Sequence, residues 1–108
     1  MSDNSEASRL TPDDVRSSVQ RLSAQSFESA KAVAAAGGST ESQRETARHL
    51  DGELANLWPA VDALPPNQRA EVSAAWTDAR LDLDYILSAG QLPTSTRMYH
   101  YLQELRKA

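Results

Sequence analysis

An apolar stripe in the middle of the chain constrains its fold more than any other feature of the sequence. Its members recur at alternating intervals of three and four residues: Ala47, Leu50, Leu54, Leu57, Val61 and Leu64. This spacing keeps one face of an α-helix apolar, whereas a half-buried strand needs strict alternation of apolar and polar residues. No segment of the sequence alternates for long enough to form a strand. The sequence therefore predicts an all-α protein.

Start and stop signals divide the sequence into four predicted helices. Thr11 and Pro12 are typical of the start of a helix, and the pair Gly37-Gly38 is typical of its end. Thr40 and Gln43 have the spacing of a capping box at the start of the next helix. The connections are short, which favours antiparallel neighbours. We therefore expect a small antiparallel bundle with helices at about 12–36, 41–64, 67–89 and 95–107.

Pro59 interrupts the second predicted helix. A proline inside a helix removes one backbone hydrogen bond and clashes with the preceding turn. The apolar stripe nevertheless keeps its phase on both sides of Pro59. We therefore expect one helix with a kink at Pro59 rather than two separate helices.

Length and composition place the chain among single-domain proteins. With 108 residues it is expected to form one helical domain at 10–108, preceded by a flexible segment at 1–9. Cysteine is absent, which excludes disulfides and thiolate metal sites. No apolar run approaches the ~20 residues that span a membrane, and the polar start lacks the apolar core of a secretory signal. We therefore expect a cytoplasmic protein that does not enter a membrane.

The charge of the chain does not favour nucleic acid as a partner. The net charge is −4, whereas binding to phosphates needs clustered lysine and arginine. Residues 88–108 superficially look like the second half of a helix-turn-helix, with Arg97 near the start of the last helix. Ile86 stands where that motif needs a small residue, and Thr96 where it needs an aliphatic one. We expect a structural helix here and keep a DNA-binding regulator with a degenerate helix-turn-helix as an alternative.

The segment ARHLDGELANL, residues 47–57, resembles the central helix of a histidine phosphotransfer domain. The matching positions are Ala47, Leu50, Gly52, Asn56 and Leu57. Arg48, however, stands at the place of the phospho-accepting histidine. His49 is one residue further along, which turns it by about 100° on a helix. The resemblance implies a second alternative, a docking domain that binds a partner without accepting phosphate.

Both histidines have acidic residues one helical turn away. Glu45, His49 and Glu53 are spaced in this way, and so are His100 and Glu104. This spacing lets two side chains reach one metal ion, but exposed acid–histidine pairs are common on helices. We predict no metal or other cofactor, although the sequence leaves open whether either group binds a metal ion. Motifs for a nucleophilic serine or a phosphate-binding loop are absent, so we also expect no enzyme activity.

The remaining interpretation is a small, acidic, non-enzymatic module that binds another protein as an adaptor or inhibitor would. The sequence leaves the identity of that partner open. The residues that we expect on the binding surface are Arg48, His49, Trp58, Pro59, Arg97 and His100. Leu81 and Tyr85 lie beside the main apolar stripe of the third predicted helix. Because a monomer rarely exposes a large apolar patch, we also expect a homodimer.

Overall fold

The computed structural model describes residues 10–90 and 95–107. These residues form four α-helices and no strand: α1 at Pro12–Ala36, α2 at Glu41–Asp62, α3 at Pro66–Leu87 and α4 at Thr96–Lys107. The predicted all-α bundle is confirmed, and each helix end lies within two residues of its expected position. The predicted flexible segment at 1–9 lies outside the described residues. Within the described part, no helix is long and apolar enough to cross a membrane.

Capping boxes fix the start of the first two helices. The Thr11 Oγ1 atom accepts the Asp14 N–H at 3.1 Å, and the Asp14 carboxylate accepts the Thr11 N–H at 3.2 Å. Thr40 and Gln43 repeat this exchange at 3.1 and 2.8 Å. Each box satisfies amides that the first turn of a helix leaves without partners. α1 ends at Gly37, whose φ of 80° lies in the left-handed region that favours glycine.

α2 continues through Pro59 as one helix, as its apolar stripe predicted, and the kink expected at Pro59 stays a prediction. Pro59 has no N–H, so the Ala55 carbonyl loses its usual helical donor. Ala55 is exposed, and water can replace the missing bond. The helix ends at Asp62 rather than at Leu64, because a residue followed by proline, as Leu64 is, disfavours the helical region.

The core consists of two clusters of apolar side chains. The larger cluster joins the three long helices and Met98 of α4, and its largest fully buried members include Leu22, Leu54, Leu83, Ile86 and Met98. The smaller cluster lies where α1 begins and α2 ends: Val15, Val19, Val61, Leu64 and Val72. α3 packs extensively on both α1 and α2, whereas α1 and α2 contact each other less. Burial of these side chains is the main force that holds the bundle together.

α4 packs mainly through its first half. Met98 is fully buried, and Tyr101 and Leu102 are partly buried against the larger cluster. Leu105, one turn further along, is 37 % exposed. α4 lies against one flank of α1, while α2 lies against the other. The last turn of α4 therefore contributes little to the core.

Candidate functional site

A groove runs between α1 and α2. The part nearer the middle of the bundle has a volume of about 640 Å³. α1 lines it with Arg21, Ala24, Gln25, Glu28 and Ser29, and α2 lines it with Thr46, His49, Leu50 and Glu53. A second hollow of about 310 Å³ shares Glu28, Ser29 and Thr46 and extends the groove to Ala32, Ser42 and Gln43. The groove exists because α1 and α2 both pack on α3 more closely than on each other.

The charged side chains of the groove lie at its edges. The Glu28 carboxylate lies 2.8 Å from the ammonium group of Lys31 and is 73 % exposed. His49 Nε2 lies 3.6 Å from the Glu53 carboxylate, and the His49 side chain is 75 % exposed. Leu50 is apolar and buried beneath them. The groove thus combines an apolar floor with polar, hydrated edges.

Arg48 lies outside the groove, near the start of α2. Its guanidinium contacts the Glu41 carboxylate at 3.1 Å, and Arg44 contacts the same carboxylate at 3.1 Å. The hydrogen bond from Arg44 and the charge of Arg44 hold the pKa of Glu41 below its ordinary value, and Arg48 adds to this effect. The structure therefore places Arg48 in a small ion-pair network on the surface of α2.

Trp58 lies on a different surface, next to α3, whereas Pro59 follows it in the chain and is exposed. The Trp58 ring packs against the Trp76 ring, with centroids 4.6 Å apart and planes inclined by 45°. Trp76 Nε1 donates a hydrogen bond of 2.7 Å to the Leu54 carbonyl. The Arg80 guanidinium carbon lies 5.2 Å from the centroid of the Trp76 ring, and Arg80 also forms an ion pair with Asp51. Trp58 is 38 % exposed, so part of its ring faces solvent while the rest packs against Trp76.

Arg97 is held inside the fold. Its Nε donates to Asp82 at 2.9 Å, and one terminal nitrogen donates to the Ser23 carbonyl at 3.0 Å. The guanidinium also lies over the Phe27 ring, 4.6 Å from its centroid. Asp82 is fully buried. The charge of Arg97, which the sequence suggested for a partner, is used to attach α4 to α1 and α3.

His100 lies exposed on α4, beside the Tyr99 ring at 5.9 Å, and does not line the groove. Among the described residues, no group of three or more histidine, aspartate or glutamate side chains could hold a metal ion. Of the six expected surface residues, only His49 lines the groove, while Trp58 packs against Trp76 of α3 and Pro59 is exposed.

The α1 side of the groove was not expected from the sequence. None of the six residues expected on the binding surface lies on α1, so Ala24, Gln25 and Glu28 were missed. Their exposure on one face was readable from the helical period, but the spacing between α1 and α2 was not. Comparison with protein-family models, with curated proteins and with solved structures finds no match for this chain.

Proposed function

We propose that this protein is a non-enzymatic helical module that binds another protein in the groove between α1 and α2. The observation that carries the proposal is the groove itself, with Leu50 and Ala24 at its apolar centre and Glu28, His49 and Glu53 at its edges. Protein-binding surfaces commonly combine an apolar centre with a polar, hydrated rim. A regulatory module of this kind acts by occupying a surface of its partner.

The surroundings of His49 favour binding over catalysis. General acid–base catalysis works best at a positioned group in a water-excluded site. His49 and Glu53 are instead 75 % and 43 % exposed, and each pairs only loosely with the other at 3.6 Å. The Glu53 charge is therefore strongly screened by water. Such side chains suit the rim of an interface.

No comparable observation in the described residues favours the DNA-binding alternative, since Arg97 is bound to Asp82 and Ser23. The docking alternative drawn from the phosphotransfer resemblance places its contacts on α2, which also forms one side of the groove. That alternative describes the same kind of activity, binding to a protein without chemistry.

The experiment begins with a photo-cross-linking residue in place of Ala24, in the groove. The matched control carries the same residue in place of Ala74, which is exposed on α3 and outside the groove. Cross-linking in an extract of the native source should capture a partner from position 24 and not from position 74. Equal capture from both positions, or from neither, contradicts the proposal.

The captured protein is then purified and titrated by calorimetry. Ala24→Trp fills the groove and should weaken binding at least about tenfold, a change of ~1.4 kcal/mol. Ala74→Trp adds the same side chain to α3 and should leave the affinity unchanged. Far-UV circular dichroism checks that both variants keep their helices. Unchanged affinity in Ala24→Trp would place the binding site elsewhere.

A further inference from the structure

The groove between α1 and α2 has a length that suits a short helix. Along α1 it extends from Arg21 to Ala32, which is about 16 Å at 1.5 Å per residue, or three turns. Small side chains at Ala24, Ser29 and Thr46 leave room for another backbone to approach. Helices pack with their axes about 8–10 Å apart, and the shorter separations need small side chains between them.

The other flank of α1 already holds a helix of this size. α4 has 12 residues and lies against α1, with Met98 buried and Arg97 over Phe27. α4 is basic, with three arginine or lysine residues and one glutamate. Its cation Arg97 is directed to an acid of the bundle, Asp82. One flank of α1 therefore shows how a short basic helix attaches to this bundle.

The acids of the groove are placed to contact cations in the same way on the flank of α1 that faces α2. α1 and α2 are antiparallel, and Ala32 shares a hollow with Ser42 and Gln43, which puts Glu28 level with Thr46. Glu53 lies seven residues further along α2, about 10 Å away along the groove. Seven residues is also the interval at which side chains of one helix return to the same face.

We propose that the groove binds a basic amphipathic helix of another protein. The helix packs small apolar side chains over Leu50 and places two cations seven residues apart, toward Glu28 and Glu53. Both glutamates have exposed carboxylates, 73 % and 43 %, that can accept these contacts beside Lys31 and His49. This inference rests on the proposed function and names the class of its partner.

Two synthetic peptides test the class of partner. Both have about 16 residues and a side-chain cross-link, because shorter unconstrained helices are marginal in water. They share leucine and alanine positions on one face and differ only in carrying lysine or glutamate elsewhere. The lysine peptide should shift the amide resonances of Ala24, Thr46 and His49 and should bind at least about tenfold more tightly than the glutamate peptide at low salt.

Variants of the acids connect that preference to the groove. Glu28→Gln together with Glu53→Gln should weaken binding of the lysine peptide by about two- to tenfold, as expected for two exposed ion pairs. Glu71→Gln, an exposed position on α3, is the matched control and should leave binding unchanged. Equal affinity for the two peptides, or no response to the double variant, overturns the basic-helix proposal.

Either of these results would overturn the basic-helix proposal without contradicting the proposed function. If position 24 captures a partner and Ala24→Trp weakens its binding, the groove binds protein whichever of the two peptides has the higher affinity. A second copy of this chain could also occupy the groove, and the mass of the full chain in analytical ultracentrifugation tests for it. A mass that stays at one chain supports the proposal, whereas a dimer that Ala24→Trp dissociates shows that a copy of this chain fills the groove and overturns it.

Discussion

Arg97 of α4 and Asp82 of α3 form an ion pair that is buried on the aspartate side. Arg97 Nε and a terminal nitrogen approach one Asp82 oxygen at 2.9 and 2.8 Å, and Ser95 donates to the other oxygen at 2.6 Å. The Asp82 side chain is fully buried, and that of Arg97 is 29 % exposed. A buried carboxylate is costly unless such partners surround it, so this contact fixes where α4 can lie.

Arg97→Ala is therefore expected to destabilise the protein. Removing the guanidinium leaves the Asp82 charge buried without its cation, which costs about 3–5 kcal/mol in comparable sites. The lower end is expected here, because the partly exposed Arg97 leaves a path for water. Urea denaturation followed by circular dichroism measures the change.

Arg106→Ala is the control for that variant, since Arg106 is exposed in the last turn of α4. Surface substitutions of this kind change stability by less than about 0.5 kcal/mol. A similarly small effect for Arg97→Ala would show that the ion pair with Asp82 contributes little to the fold.

The apolar residues of α4 should differ sharply in how much each contributes to the stability of the fold. Met98 is fully buried, so Met98→Ala should cost about 2–5 kcal/mol through lost contacts and a cavity. Leu105 is 37 % exposed, so Leu105→Ala should cost less than about 1 kcal/mol. Thermal denaturation of both variants checks the order, and equal losses would place the end of α4 in the core.

Glu41 should titrate below its ordinary pKa of 4.5, because Arg44 and then Arg48 stabilise its charged form. A carboxyl group whose pKa is lowered by folding stabilises the protein above its unfolded pKa, and this contribution is lost as the pH falls through the folded value. Carboxyl-detected NMR titration measures the midpoint. Arg44→Gln should raise it, whereas Arg69→Gln on α3 should leave it unchanged.

Features that depend on neighbours in the chain were readable from the sequence. The box at Thr40–Gln43 needs only residues three apart and forms as predicted, and Thr11 caps α1 as expected, with Asp14 completing a second box. The passage of α2 through Pro59 followed from the phase of one apolar stripe. Local geometry determines these helix starts and the continuity of α2, and tertiary packing does not override it.

The role of Arg97 and the groove could not be read in the same way. Arg97 meets Asp82 fifteen residues away and the Ser23 carbonyl seventy-four residues away, and no local pattern marks those pairs. The groove depends on the distance that α3 imposes between α1 and α2. Spacing within one helix predicts which face is exposed but not how far the next helix lies from it.

Trp76 of α3 joins α2 to α3. Its Nε1 donates to the Leu54 carbonyl at 2.7 Å, and its ring supports Trp58. Trp76→Phe keeps an aromatic ring but removes the donor, and a lost hydrogen bond at a part-buried site costs about 1–2 kcal/mol. Trp58→Phe keeps the ring contact at an exposed position, so it should cost less than about 0.5 kcal/mol. Far-UV circular dichroism in urea is the suitable probe, since both variants change the tryptophan fluorescence itself. If Trp58→Phe costs as much as Trp76→Phe, ring packing rather than the hydrogen bond to Leu54 holds α2 and α3 together at this point.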